Sequence, residues 1–344
     1  MSSFALYRLP YAEQCTLLEQ TQGEPQTLQT CGALNGERGY VFAPFAVTPQ
    51  TPLLLLRPDR RETMACSEVG GCRLALRYAS PSAGDHADDR SRYHVDFSNF
   101  HAQLQEGTFR KIVLARSLTV PVDATVSPFS LFQKACESYP RMFISLVSTP
   151  QGGTWLTATP EILLDRTIAG APYKTVALAG TVPFEEDVRW SEKNIREQRY
   201  VATYILETLE RFSTQISEEG PFTVRAAHLA HLRSDYTFTL AENSHLGDLL
   251  QALHPTPAVC GLPKEDAFRF ILHNESSERS YYSGFQGPLD PDGETHLYVS
   301  LRCMEIMHDR CRLYAGGGLL KVSDEEQEWQ ETETKLNTMR NVLK

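Results

Sequence analysis

Between residues 111 and 179 the chain holds five strand-length apolar runs, at 111–120, 142–148, 154–158, 162–165 and 175–179, with one helix-length segment among them. Neighbouring runs are joined by short turns, the pattern of strands laid beside one another rather than linked by crossover helices. A doubly wound sheet needs helix and strand in strict alternation, so the pattern predicts a mixed α+β fold. No Gly-x-Gly-x-x-Gly follows a strand, and no Walker lysine loop occurs. Gly316-Gly317-Gly318 is the one glycine cluster, a weak phosphate signal by itself.

Helices come from periodicity and caps. Tyr93, Phe97, Phe100 and Leu104 share one face of a helix beginning near residue 91. Ser127-Pro128 supplies an N-cap and first-turn proline for a helix over 129–137. Further helices are expected over 190–213, over 264–273 and from Ser323, where Ser323 and Glu326 make a capping box. Strands are expected at 297–304 and 312–315. Residues 1–90 read as an irregular segment packed on the core, with strand-like runs at 4–9, 40–47 and 52–56 and an exposed loop at 80–89.

Composition removes several function classes. With 33 Lys+Arg against 43 Asp+Glu, the 344-residue chain has a formal net charge of −10, which repels nucleic-acid backbones. The densest apolar run, Leu53 to Leu56, is far short of a membrane span, and the first residues do not read as a signal peptide. A soluble, cytoplasmic protein is expected. The eight cysteines include no Cys-x-x-Cys, so free buried thiols are expected rather than a structural zinc site.

The strongest chemical clue is acid on core-facing helix stripes. On the 190–213 helix, Val201, Ile205, Leu209 and Phe212 form the apolar stripe, with Trp190 at its start. Glu197 and Asn194 fall on the same stripe. On the last helix, Glu328, Glu331 and Lys335 run along the edge of the side defined by Trp329, Leu336, Met339 and Leu343. A buried carboxylate is costly unless paired or bound to a metal, and hard oxygen ligands suit Mg²⁺. The alternative is a solvated Glu331–Lys335 pair at i, i+4.

Other ionisable residues interrupt strands. Lys111 shares a strand face with Val113 and Ala115, and a desolvated lysine can serve as a base; equally, it could be a snorkelling strand end. Glu161 borders the run 162–165, as a buried acid or a solvated strand end. Arg302, placed by alternation with Ser300 and Tyr298, is shaped for two-point carboxylate binding or for a structural ion pair. His228 and His231 lack a metal-binding His-Glu-x-x-His frame and read as ordinary buried histidines.

Taken together, these segments resemble the chorismate-utilising enzymes, and within them the isochorismate synthases. The resemblance covers 91–344. It is carried by Lys111-Ile-Val-Leu-Ala-Arg116, Thr159-Pro-Glu-Ile-Leu-Leu164, Leu178-Ala-Gly-Thr181, Ser191-Glu-Lys with Glu197, and His231-Leu-x-Ser234. It continues through Leu253-His-Pro-Thr-Pro-Ala-Val-Cys-Gly-Leu-Pro263, Leu301-Arg-Cys303, Tyr314-Ala-Gly-Gly-Gly318 and Glu328-Trp-Gln-Glu-Thr332.

The resemblance implies one chorismate-binding domain, with 91–344 as its catalytic region. Its four layers are α/β/β/α, with two large, mostly antiparallel sheets around a central cleft. By position, it implies Lys111 as the base activating water and Glu161 as the acid protonating the departing hydroxyl. Glu197 and Glu331 would be direct Mg²⁺ ligands, with Glu328 acting through a water. Arg302 and Lys335 would hold substrate carboxylate, while Gly180, Leu301 and Gly316 line the pocket and His231 sits near the ring.

Lys111, Leu178-Ala-Gly-Thr181 and His254-Pro-Thr-Pro-Ala favour water over ammonia as nucleophile, so no glutaminase subunit is implied. The family supplies both menaquinone and siderophore biosynthesis, and its members are often monomers. Neither a nucleic acid nor a membrane is an expected partner. The rival readings are a salicylate synthase, which also eliminates pyruvate, and a non-catalytic chorismate-binding module. Asn194 stands where relatives carry an acid.

Overall fold

The computed structural model describes residues 2–78, 89–123, 125–185, 187–226, 229–242 and 245–344. Two nine-stranded sheets stack face to face, and every adjacent strand pair is antiparallel. From edge to edge the first runs Gly261–Leu262, Lys111–Pro121, Arg310–Leu319, Cys303–Ile306, Gly153–Thr159, Phe143–Thr149, Ser3–Arg8, Gln14–Gln20 and Arg60–Ala65. The second runs Ser213–Ala226, Leu229–Leu240, Tyr173–Pro183, Ile162–Arg166, Thr295–Val299, Phe285–Leu289, Gly39–Ala43, Leu53–Leu56 and Gln26–Leu28. Residues 3–65, read from sequence as irregular with strand-like runs, thus supply three strands to each sheet.

Six α-helices are found among the described residues: α1 Asp89–Glu106, α2 Pro128–Ser138, α3 Glu192–Leu209, α4 Leu246–Leu253, α5 Lys264–Asn274 and α6 Glu325–Leu343. Side-chain alternation explains the layers. Along Ser3–Arg8, Phe4 and Leu6 point to an outer core shared with α2 and α6, while Ala5 and Tyr7 point between the sheets. Along Leu53–Leu56, Leu53 and Leu55 join the outer core with α3 and α4, and Leu54 and Leu56 face inward. A strand buried on both faces has no polar side, which is why this run is unbroken leucine. The order of layers is therefore helix, sheet, sheet, helix. No described helix is long and apolar enough to cross a membrane.

Several local expectations change. The run 297–304 is two strands in different sheets, Thr295–Val299 and Cys303–Ile306, and the chain crosses between them. Arg302 sits in that crossing at φ +48°, not on a strand. Trp190 precedes α3 and donates to Thr223 Oγ1 at 2.9 Å, so it is not on the helix stripe. The last helix is capped by Asp324, whose side chain accepts from Gln327 N at 3.1 Å. Ser323 instead accepts from Leu320 N, so no Ser323–Glu326 capping box forms. Most of the expected 80–89 loop lies outside the described residues, as does His228. The hairpin Ser213–Ala226 with Leu229–Leu240 was not expected.

Candidate active site

Helix α3 packs on the second sheet and α6 on the first, and their acids meet across the gap. Each acid has its own lysine. Lys111 Nζ lies 3.0 Å from Glu197 Oε1, Lys335 Nζ donates to Glu331 Oε1 at 2.7 Å, and Lys193 pairs with Glu328. Lys111 is fully buried at the start of the Lys111–Pro121 strand. Lys193 was not singled out from sequence, although it lies one turn before Glu197 on α3. Its i, i+4 spacing to Glu197 was the available signal.

The glycine cluster makes room for these groups. It is not a phosphate loop but the C-terminal end of the Arg310–Leu319 strand. A Cβ on Gly318 would lie 2.1 Å from Glu197 Oε1 and 2.8 Å from Lys111 Cε. One on Gly317, on the opposite strand face, would meet Glu328 Oε2 at 3.3 Å and Glu331 Oε1 at 3.8 Å. Gly316 offers its carbonyl to Lys335 Nζ at 2.8 Å.

Burial and charge set different protonation tendencies. Burial raises the Glu161 carboxyl to about 7, against the opposing charges of Lys111, Arg302 and Lys335. Glu197 is equally buried, yet the charges of Lys111 and Lys193 outweigh that burial and hold it below the usual carboxylate value. Burial, then the neighbouring Glu331, raises Glu328 despite Lys193.

A cavity lies between the sheets. Glu161, Gly180, Glu197, His231, Leu301, Arg302, Gly316 and Lys335 all line it. Tyr282, Tyr314 and Val113, none of them expected as site residues, add its apolar wall. Glu328 and Glu331 face an adjoining groove that shares Thr181 with the cavity.

Arg302 is held at the cavity by His231. Its Nη2 donates to His231 Nε2 at 2.6 Å, while His231 Nδ1 lies 3.1 Å from the Gly180 carbonyl. A carbonyl only accepts, so Nδ1 carries the proton and Nε2 is free to accept. Burial, with Arg302 and Lys335 nearby, pushes the imidazole well below its ordinary value and keeps it neutral. Arg302 Nη1 is buried with no hydrogen-bond partner. Burial lowers the guanidinium to about 10, against the opposing pull of Glu161, and it remains charged at neutral pH. An open, desolvated guanidinium N–H is a carboxylate-binding group.

The donor set also fits a hard divalent cation. Three carboxylates from two helices surround side-chain-free backbone, and Glu328 Oε2 is buried without a partner. Their oxygens do not converge to within 4.8 Å of one another, since each is drawn to its own lysine. Asn194 is buried at the start of α3, accepting from the Ser191 hydroxyl at 2.6 Å and packing against Gly180.

The family model of the chorismate binding enzymes matches residues 76–344. Isochorismate synthase DhbC of Bacillus subtilis is 31% identical over 313 residues, 80% of this chain and 78% of that protein. The salicylate biosynthesis isochorismate synthase of Pseudomonas aeruginosa is 32% identical over 283 residues, 78% of this chain. That match spans 58% of the Pseudomonas protein, under two thirds of its length. The fold superposes on the structure of the 2,3-dihydroxybenzoate-specific isochorismate synthase DhbC from Bacillus anthracis with a TM-score of 0.82. That likeness, at 25% identity, covers 99% of this chain and 96% of the other. Cavity, acids, lysines and arginine thus stand within the match over residues 76–344, and the chain belongs to the family of chorismate-binding enzymes.

Proposed function

We propose that this chain is a Mg²⁺-dependent isochorismate synthase, an isomerase that adds water at one carbon of the chorismate ring while a hydroxyl leaves across the diene. One observation carries the reading. A buried carboxyl raised to about 7 lines one cavity with an unpartnered guanidinium N–H, and the buried Lys111 stands behind the cavity wall, 3.0 Å from Glu197.

Chorismate carries two carboxylates. Arg302 would take one through Nη1, with His231 fixing the guanidinium plane, and Lys335 would add a second positive contact. Glu197 and Glu331, with Glu328 through a water, would hold Mg²⁺, which when bound neutralises charge on the ring carboxylate. Lys111, buried beside Glu197, would take the proton from water as general base. Glu161, still protonated near neutral pH, gives its proton to the departing hydroxyl. One proton is taken and one is given, so the step is balanced without a further reactant.

The test is incubation of the purified protein with chorismate, with and without Mg²⁺, followed by separation of the products. A Mg²⁺-dependent mixture of chorismate and isochorismate without pyruvate supports the reading; salicylate with pyruvate, or no turnover, overturns it. Lys111→Ala is expected to abolish turnover while chorismate still binds. Turnover unchanged in that variant would remove Lys111 from its role.

A further inference from the structure

Three cysteines far apart in sequence meet under the outer face of the first sheet. Cys15 lies on Gln14–Gln20, Cys66 opens the 3-10 turn Cys66–Gly71, and Cys136 sits on α2. Their sulfurs all lie within 4.8 Å of one another. Among the described residues, no other three His, Cys, Asp or Glu ligand atoms converge this closely. All three are free thiols; Cys15 and Cys136 are buried and Cys66 is half-buried, which leaves a way in from solvent.

We propose that this cluster binds one soft, thiophilic d10 ion, with Cu(I) as the matching species. Metal–sulfur bonds of about 2.3 Å put three sulfurs about 4.0 Å apart around a trigonal ion, so sulfurs already within 4.8 Å of one another need to close by about an ångström at most. Structural Zn²⁺ takes four ligands, and here the chain brings three thiols together. The next sulfurs belong to Met64, opposite Cys15 across the strand pair, and Cys72, 3.7 Å from the Met64 thioether. Thioethers favour softer ions.

The surroundings favour thiolate once an ion is present. Arg8 is buried, donating through Nη2 to the carbonyls of Tyr139 and Met142, each at 2.7 Å, and its Nε has no hydrogen-bond partner. Its charge favours the thiolate forms of both Cys15 and Cys66. Without an ion, burial dominates and pushes the Cys66 thiol up to about 12, so the cluster packs as neutral core. Each thiol that ligates the ion releases its proton to solvent, and no oxidation state changes.

The site is separate from the catalytic cavity and stands independently of the proposed activity. The test uses the full chain, reduced and anaerobic, titrated with Cu(I) delivered from its bicinchoninate complex. Thiolate-to-Cu(I) absorption in the near ultraviolet is expected to saturate at one equivalent. Cys66→Ser and Cys136→Ala are each expected to lose that absorption, with circular dichroism and Mg²⁺-dependent chorismate turnover unchanged. No absorption in the parent chain, or absorption that persists in Cys66→Ser, overturns the proposal.

Discussion

Glu161 and Glu197 are two carboxylates on one cavity, and their surroundings drive them apart. Glu197 has Lys111 at 3.0 Å and stays ionised; among the described residues Glu161 has no ion pair, and burial raises it to about 7. Two such carboxyls divide naturally into a ligand and an acid. The pH dependence follows from the sign of the Glu161 shift. Below about 7 it holds the proton that the proposed step needs, and above that value it loses it. We expect kcat to fall with rising pH through about 7, approaching roughly tenfold per unit. Glu161→Gln should lower kcat by about 10²–10⁴-fold and remove that limb from the profile. A rate constant flat from acid through alkaline pH would sink the assignment. His231, held neutral by its buried place beside Arg302, contributes no ionisation near pH 7.

At the scale of elements, the Arg310–Leu319 strand is the part most constrained by the site. Its glycines are explained by close approach, since Gly318 carries no Cβ where one would collide with Glu197 and Lys111. Gly318→Ala is expected to preserve the sheet, because alanine is tolerated in a strand, while displacing the Glu197 carboxylate. Mg²⁺ affinity should drop about 10–100-fold, as when the support of a metal ligand is removed. Calorimetric titration with Mg²⁺ checks this, and an unchanged affinity would mean that Glu197 is not a ligand. Arg302 shows the same dependence on backbone. Its positive φ, between strands of different sheets, turns its side chain out of the expected alternation and beside His231.

The whole molecule depends on how the two sheets are joined. Their shared layer is aromatic, with Phe143 stacked on Tyr298 and Trp155 on Tyr314. At its centre Gln286, fully buried, uses all four of its hydrogen-bonding positions. It accepts from Tyr40 and Ser145 and donates to Thr157 and Ser300. Gln286 and Tyr40 lie on second-sheet strands and Ser300 just beyond another, while Ser145 and Thr157 lie on first-sheet strands, so one amide ties the layers together. Gln286→Leu leaves several buried hydroxyls short of a partner. We expect a loss of about 2–4 kcal/mol in urea unfolding. A loss below about 0.5 kcal/mol would show that the hydroxyls re-pair among themselves.

Local pattern alone was enough for five of the six helices, for most strands after residue 110 and for the mixed α+β class, because a period of 3.6 or 2 records which face is buried, while α4 Leu246–Leu253 went unexpected. The acids on apolar stripes marked Glu197 and Glu328 for the same reason, since burial without a partner is costly in any fold. Residue pattern together with family resemblance nominated eight residues that line one cavity. Pairings between distant segments were decided only in three dimensions. Strand alternation misplaced Arg302, because no short-range period signals a crossing between sheets. Lys193 gained its partner on α6 only when α3 and α6 were brought together. The three cysteines carry no recognisable spacing, and only the packing of an edge turn, a strand and a helix joins their sulfurs. Side-chain period is a property of one element, whereas a site is a property of several, and their meeting is set by tertiary packing.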